Sequence, residues 1–194
     1  MVTRTEKITT EALPAFLLSS LHSSYLDSAI ATVLHSKIPL NALIDLAITA
    51  RQPTSFRSAW ILEHIAKQSF ELFIPHIPYF IKQFPLAGNT SAHRHFANIL
   101  LHTFSVLNRK QYGKERKALW NSDLEPILSA CFDWLMDSKE KVAGKVACMD
   151  CVYILSEKYP WAKDELLACV DFLQTDATLG MLVRLRRLLQ KMQD

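Results

Sequence analysis

The chain has 194 residues, 49% of them hydrophobic, and carries 22 Lys and Arg against 19 Asp and Glu for a net charge of +3. That length suits one substantial core and is short for two independent domains. Only four Gly in the whole chain leave little material for hairpin turns and point to helix throughout, while +3 is too small to mark a dedicated nucleic-acid binder on net charge alone.

Met1 to Thr10 is polar and lacks the apolar run of a signal peptide. A first helical pair is expected from Glu11 to His22, capped by Thr10, and from Tyr25 to Ser36. Pro39 opens the next helix, Leu40 to Gln52, because a Pro in the first turn removes no needed donor. Pro53 ends it, and Ser55 caps its partner through about Gln68. Phe70 to Phe84 follows, kinked or broken at Pro75 and Pro78. Those prolines, with Glu71 and Lys82, keep this apolar stretch from being a membrane span. Ser91 to about Arg109 answers it, after the closing stretch Pro85 to Asn89.

An irregular segment from Lys110 to Asn121 comes next, holding Gly113, Lys114, Arg116 and Lys117. Asp123 caps a helix to about Asp137, paired with one from Lys139 to Lys158. Pro160 separates the last pair, Trp161 to Thr175 and Ala177 to Met192. Five pairs fill the chain as a single domain, 1–194, with a basic insertion at about 110–121.

One pattern recurs along this series: SFRSAWILEHI (Ser55 to Ile65), SAHRHFANILL (Ser91 to Leu101), KVAGKVACMDCVYIL (Lys141 to Leu155) and LGMLVRLRRLL (Leu179 to Leu189). With Arg57, Arg94, Lys145 and Arg184 in register, the spacings are 37, 51 and 39 residues. A period near forty is the mark of stacked helical pairs, which cannot bury an apolar face alone. The expected fold is therefore all-α, a right-handed α-α superhelix of about five helical pairs.

Leu124-Glu125-Pro126-Ile127-Leu128, then Asp137, Val142 and Ala147, resembles the HEAT repeat, in which Pro sits early in the first helix and Asp in the turn. Phe56-Arg57 and Val183-Arg184 look like that family's Val-Arg opening of the second helix, although Gln52 and Pro53 stand where a turn Asp belongs. Ser55, Arg57, Ala59, Trp60, Leu62 and Glu63 resemble a segment of short bacterial HEAT-like proteins that often carry the label adenylosuccinate lyase. The Ser-rich catalytic loop of that lyase, Gly-Ser-Ser followed by Met-Pro-Lys, has no counterpart here.

Charge divides by helix. The first helices of the pairs are acidic in sum, most of it on Asp123, Glu125, Asp133, Asp137, Asp164, Glu165, Asp171 and Asp176, and the second helices are basic. Second helices line the concave face of stacked repeats, so a basic groove and an acidic outer face are expected. On the helix from Ser55, one polar arc collects Arg57, Glu63, His64, Lys67 and Gln68, with Trp60 inside it. On the helix from Ser91 an arc collects Arg94, His95, Asn98 and His102, and the last helix aligns Arg184, Arg187 and Lys191. With Lys145, these are the candidate groove residues, and their chemistry suits an acidic or phosphorylated ligand. The basic stretch Arg109, Lys110, Lys114, Arg116 and Lys117 adds a nucleic-acid feature, with Tyr112 and Trp120 as candidate stacking residues.

No catalytic residue, metal or cofactor is assigned. Cys148 and Cys151 form a lone pair, without the second pair that zinc needs, and with Cys131 and Cys169 lie in apolar helical stretches as buried thiols. With no export signal, they are expected reduced, in the cytoplasm. His93, His95 and His102 lack the i,i+4 spacing of a metalloprotease helix and read as solvated groove histidines. The leading functional reading is a non-catalytic scaffold that binds a protein partner. A DNA- or RNA-binding module, similar to HEAT-like DNA glycosylases, is the alternative, and an accessory protein related to adenylosuccinate lyase comes last.

Overall fold

The computed structural model describes residues 7–19, 26–174 and 179–193, and every regular element among them is a helix. The chain forms two compact units, divided between Ile99 and Leu100.

The first unit begins with α1 (Leu13–Leu18), α2 (Leu26–His35), α3 (Leu40–Thr49) and α4 (Thr54–Gln68). The short α5 (Phe70–Phe73) and α6 (Ile77–Gln83) follow, separated by a 3-10 turn at Ile74–His76, and α7 (Thr90–Leu107) runs across the division. The expected break at Pro75 and Pro78 is present: each Pro falls in the first two positions of its own short element, where its missing N–H is not missed. The interruption places Phe80 in contact with Phe73, Phe84 and Phe96, and Phe84 in contact with Phe96, with ring centroids 5.2–6.0 Å apart. All four rings are fully buried or nearly so, and burying each one contributes on the order of 2–3 kcal/mol.

α4 is the central helix of this unit, with Ala59, Ile61, Leu62, Ile65 and Ala66 all at 0% exposure. It packs along α3 and also touches α1 and α2. Two hydroxyls draw α3 and α4 together: Ser55 Oγ donates to the carbonyl of Ala47 at 2.7 Å, and Ser58 Oγ to that of Leu43 at 2.8 Å. Ser55 thus serves as a buried cross-link, not as the expected cap. At the first helix, Thr9 Oγ1 accepts from the Ala12 N–H in place of the expected Thr10. Two residues beyond α2, Lys37 takes a left-handed φ of 57° and the Ile38 N–H donates back to Val33, closing the helix.

The second unit holds α8 (Gly113–Asn121), α9 (Glu125–Met136), α10 (Val142–Leu155), α11 (Trp161–Gln174) and α12 (Leu179–Gln193). The segment expected to be irregular is a 3-10 turn at Lys110–Tyr112 followed by α8. Its helical content was hidden by four cations and a Gly, yet Leu119 and Tyr112 are buried and anchor it. α10 packs against both α9 and α11, and α12 closes on α10 and α11. Asp123, the expected cap, stands one residue ahead of the N-cap position, which is Leu124; its carboxylate still accepts from the Glu125 N–H at 3.0 Å, as an Asx turn leading into the helix. The boundaries expected at His22, Tyr25, Thr175 and Ala177 lie outside the described residues, as does Asp176. Among the described residues no helix is long and apolar enough to cross a membrane.

Candidate functional site

In the first unit three of the sequence-marked polar residues, Lys67, His95 and Asn98, gather around Glu63. Its side chain sits on α4 one turn before Lys67, the spacing that brings two helical residues together. Lys67 Nζ donates to Glu63 Oε1 at 2.5 Å, Asn98 Nδ2 to the same oxygen at 3.0 Å, and His95 Nδ1 meets Oε2 at 2.5 Å. Glu63 is only 6% exposed and His95 1%. Burial alone would push the Glu63 carboxyl up, but hydrogen bonds from His95 and Lys67, with their charges, hold it down at about 2. The result is a buried carboxylate fully supplied with donors, clamping α7 to α4.

The expectation of solvated groove histidines is corrected here, because α7 turns His95 and Asn98 onto α4 and leaves Arg94 in solvent. His93 is likewise buried at 4%, with Nε2 2.7 Å from the carbonyl of Ala87. A carboxylate on the Nδ1 side of an imidazole is the wiring of an oriented general base. Nε2 of His95, however, is shut off from solvent and meets no hydrogen-bond partner. The Phe56 ring stands beside it, centroids 5.2 Å apart at 65°. A substrate cannot reach that nitrogen, so the pair holds two helices together.

Arg57 is also committed internally. Its Nη1 donates to the carbonyls of Leu17, Leu18 and Ser19 at 2.7, 3.0 and 3.0 Å. These are the orphan acceptors at the end of α1. Lys158 does the same for α8 in the second unit, with Nζ 2.6 and 2.5 Å from the carbonyls of Trp120 and Ser122. Trp60 is half-buried, stacked on Phe56 at 6.0 Å and 22° and edge-on to His64 at 5.9 Å.

In the second unit Arg184 pairs with Asp150, while Lys145 and His102 are half-buried and Arg187 is exposed. The side chain of Lys191 lies outside the described residues. Arg109, Lys110, Lys114, Arg116 and Lys117 are all exposed. Their proposed stacking partners are not: Tyr112 is buried, and Trp120 packs on Phe104 with centroids 5.3 Å apart. All four cysteines are buried and unpaired as disulfides, as expected. The fold adds one neighbour the spacing concealed, setting the Cys131 thiol among those of Cys148 and Cys151. Hydrogen bonding to Cys131, then burial, pushes the Cys148 thiol well above its ordinary value, and burial raises Cys151 and Cys169. Among the described residues no three His, Cys, Asp or Glu side chains are grouped to hold a metal ion.

Neither a curated protein nor a solved structure matches the chain significantly. A family model described as a HEAT repeat domain matches residues 14–192. The helical pairs, the cation that closes a helix about one repeat earlier, and a match over nearly the whole length agree: the chain belongs to the HEAT repeat domain family.

Proposed function

We propose that this HEAT repeat chain is a non-catalytic scaffold for a protein partner, and that it engages an acidic or phosphorylated segment of that partner. The family supports the general role, since helical repeats offer long open surfaces suited to binding. The observation that carries the finer reading is the exposed basic stretch of Arg109, Lys110, Lys114, Arg116 and Lys117, two of them on one face of α8 at i,i+3 spacing. Arg94 on α7 and Arg187 on α12 are further exposed cations. Arg57 and Glu63 leave the binding set, because their polar atoms are consumed within the unit.

The same five cations support nucleic-acid binding as the second reading. The inward packing of Tyr112 and Trp120 weighs against it, since no base-stacking platform accompanies the charge. The adenylosuccinate lyase reading rests on sequence resemblance alone. Fluorescence anisotropy of a labelled Glu-rich peptide, its phosphoserine version and duplex DNA separates the first two readings. Binding of the phosphopeptide that Lys114→Glu with Lys117→Glu weakens about tenfold supports the proposal. DNA binding with a steep salt dependence, and no peptide binding, would replace it with the second.

A further inference from the structure

The acidic first helices of the second unit have no part in that reading. There, α9 and α11 flank an open cleft of about 550 Å³, a size typical of ligand sites. Asp123, Glu125, Asp133 and Glu165 line it with carboxylates, all four exposed. No cation among the described residues pairs with any of them. Among the described residues, the only hydrogen bond to these carboxylates is the one Asp123 accepts from the backbone of Glu125.

The second feature is aromatic and independent of the charge. Phe132 of α9 and Trp161 of α11 stack with centroids 6.1 Å apart at 23°. Trp161 is 51% exposed, an unusual position for the largest side chain. The structure therefore places a half-exposed indole in a cleft lined by four carboxylates that no described cation pairs. A π-face and a carboxylate both attract cations, and a planar guanidinium satisfies them together by stacking on one and donating in pairs to the other. An anionic segment meets four like charges, and an apolar one strands carboxylates away from water.

We propose that the α9–α11 cleft is a docking site for an Arg-bearing basic segment of a partner protein. Its charge is opposite to that of the α8 surface and it uses different helices, so either site can fail without the other.

The test is fluorescence anisotropy of a labelled peptide of alternating Arg and Gly, with Lys-Gly and Asp-Gly peptides beside it. The Arg peptide is expected to bind at low salt, more tightly than the Lys peptide, with the Asp peptide silent. Glu165→Lys is expected to weaken it by about tenfold or more, Trp161→Ala by a similar factor, and Trp161→Phe by less because a ring remains. Both sites are exposed, so circular dichroism should show each of the three variants folded. Lys114→Glu should leave Arg-peptide binding intact. Absence of binding at low salt, or equal binding by wild type and Glu165→Lys, overturns the proposal. Self-association of the wild type that Glu165→Lys abolishes also overturns it, since the cleft would then hold a second copy of the chain.

Discussion

Replacing Glu63 by Gln isolates what the buried carboxylate contributes to the first unit. The side chain keeps its shape and one carbonyl acceptor but loses the charge that His95 and Lys67 satisfy. Glu63 is held at about 2 against an ordinary 4.5, which corresponds to roughly 3 kcal/mol of folding stability at neutral pH. Lys67 is 44% exposed, so its share is screened, and a loss of about 2 kcal/mol is the expectation for Glu63→Gln. A carboxyl whose folded value is depressed stabilises fully above its unfolded value. That stability is lost as pH falls through the folded one. The wild type should therefore lose this increment between about pH 4.5 and pH 2, and the variant should lack that slope. Urea unfolding followed by circular dichroism at several pH values from 7 down to 2.5 measures both. His95→Ala should cost more, about 3 kcal/mol or above, because it leaves the carboxylate buried with fewer donors. Equal stability of wild type and Glu63→Gln at pH 7, or parallel acid slopes, would refute the account.

Further outcomes follow from single contacts. Arg57→Met should loosen α1, costing about 1 kcal/mol because the part-buried carbonyl of Leu17 loses its donor while those of Leu18 and Ser19 turn to water, and raising hydrogen exchange across Leu13 to Leu18. Arg57→Lys should recover part of it. Lys37→Gly should stabilise by about 0.5–1 kcal/mol, since φ at this position is 57° and only Gly adopts it without strain; a lower melting temperature would contradict this. Gly144→Ala should gain almost nothing despite a helix-propensity benefit of about 1 kcal/mol. The new Cβ lands 2.0 Å from Glu140 Oε1 and displaces that carboxylate from the Lys141 N–H, so chemical denaturation should show near-equal stability. The four buried thiols should resist a thiol reagent in the native protein and react together once it is unfolded.

Local signals carried the fold. Pro39, Pro53, Pro75, Pro78 and Pro160 punctuate the chain where helices begin or break, because proline geometry acts on its own neighbours. The recurring cation near forty residues marked the pairs, and the HEAT resemblance agrees with the family match over 14–192. α8 was obscured because its cations and Gly113 mask a helix held by a few contacts, Leu119 in the core, Trp120 on Phe104 and Lys158 at its last carbonyls. The candidate site was less legible. A helical wheel sorts residues by direction on one helix, so it grouped Arg94, His95 and Asn98 together. It holds no information on what lies opposite. The tertiary structure decided that α4 faces His95 and Asn98, burying the first and half-burying the second against Glu63, while Arg94 stays in water. It also decided that Arg57 ends on the carbonyls of α1 and that Phe132 meets Trp161 in a cleft lined by acids. Periodicity belongs to a single helix, whereas burial and pairing of a polar group depend on which neighbour packs against it, and that neighbour is fixed only when the helices assemble.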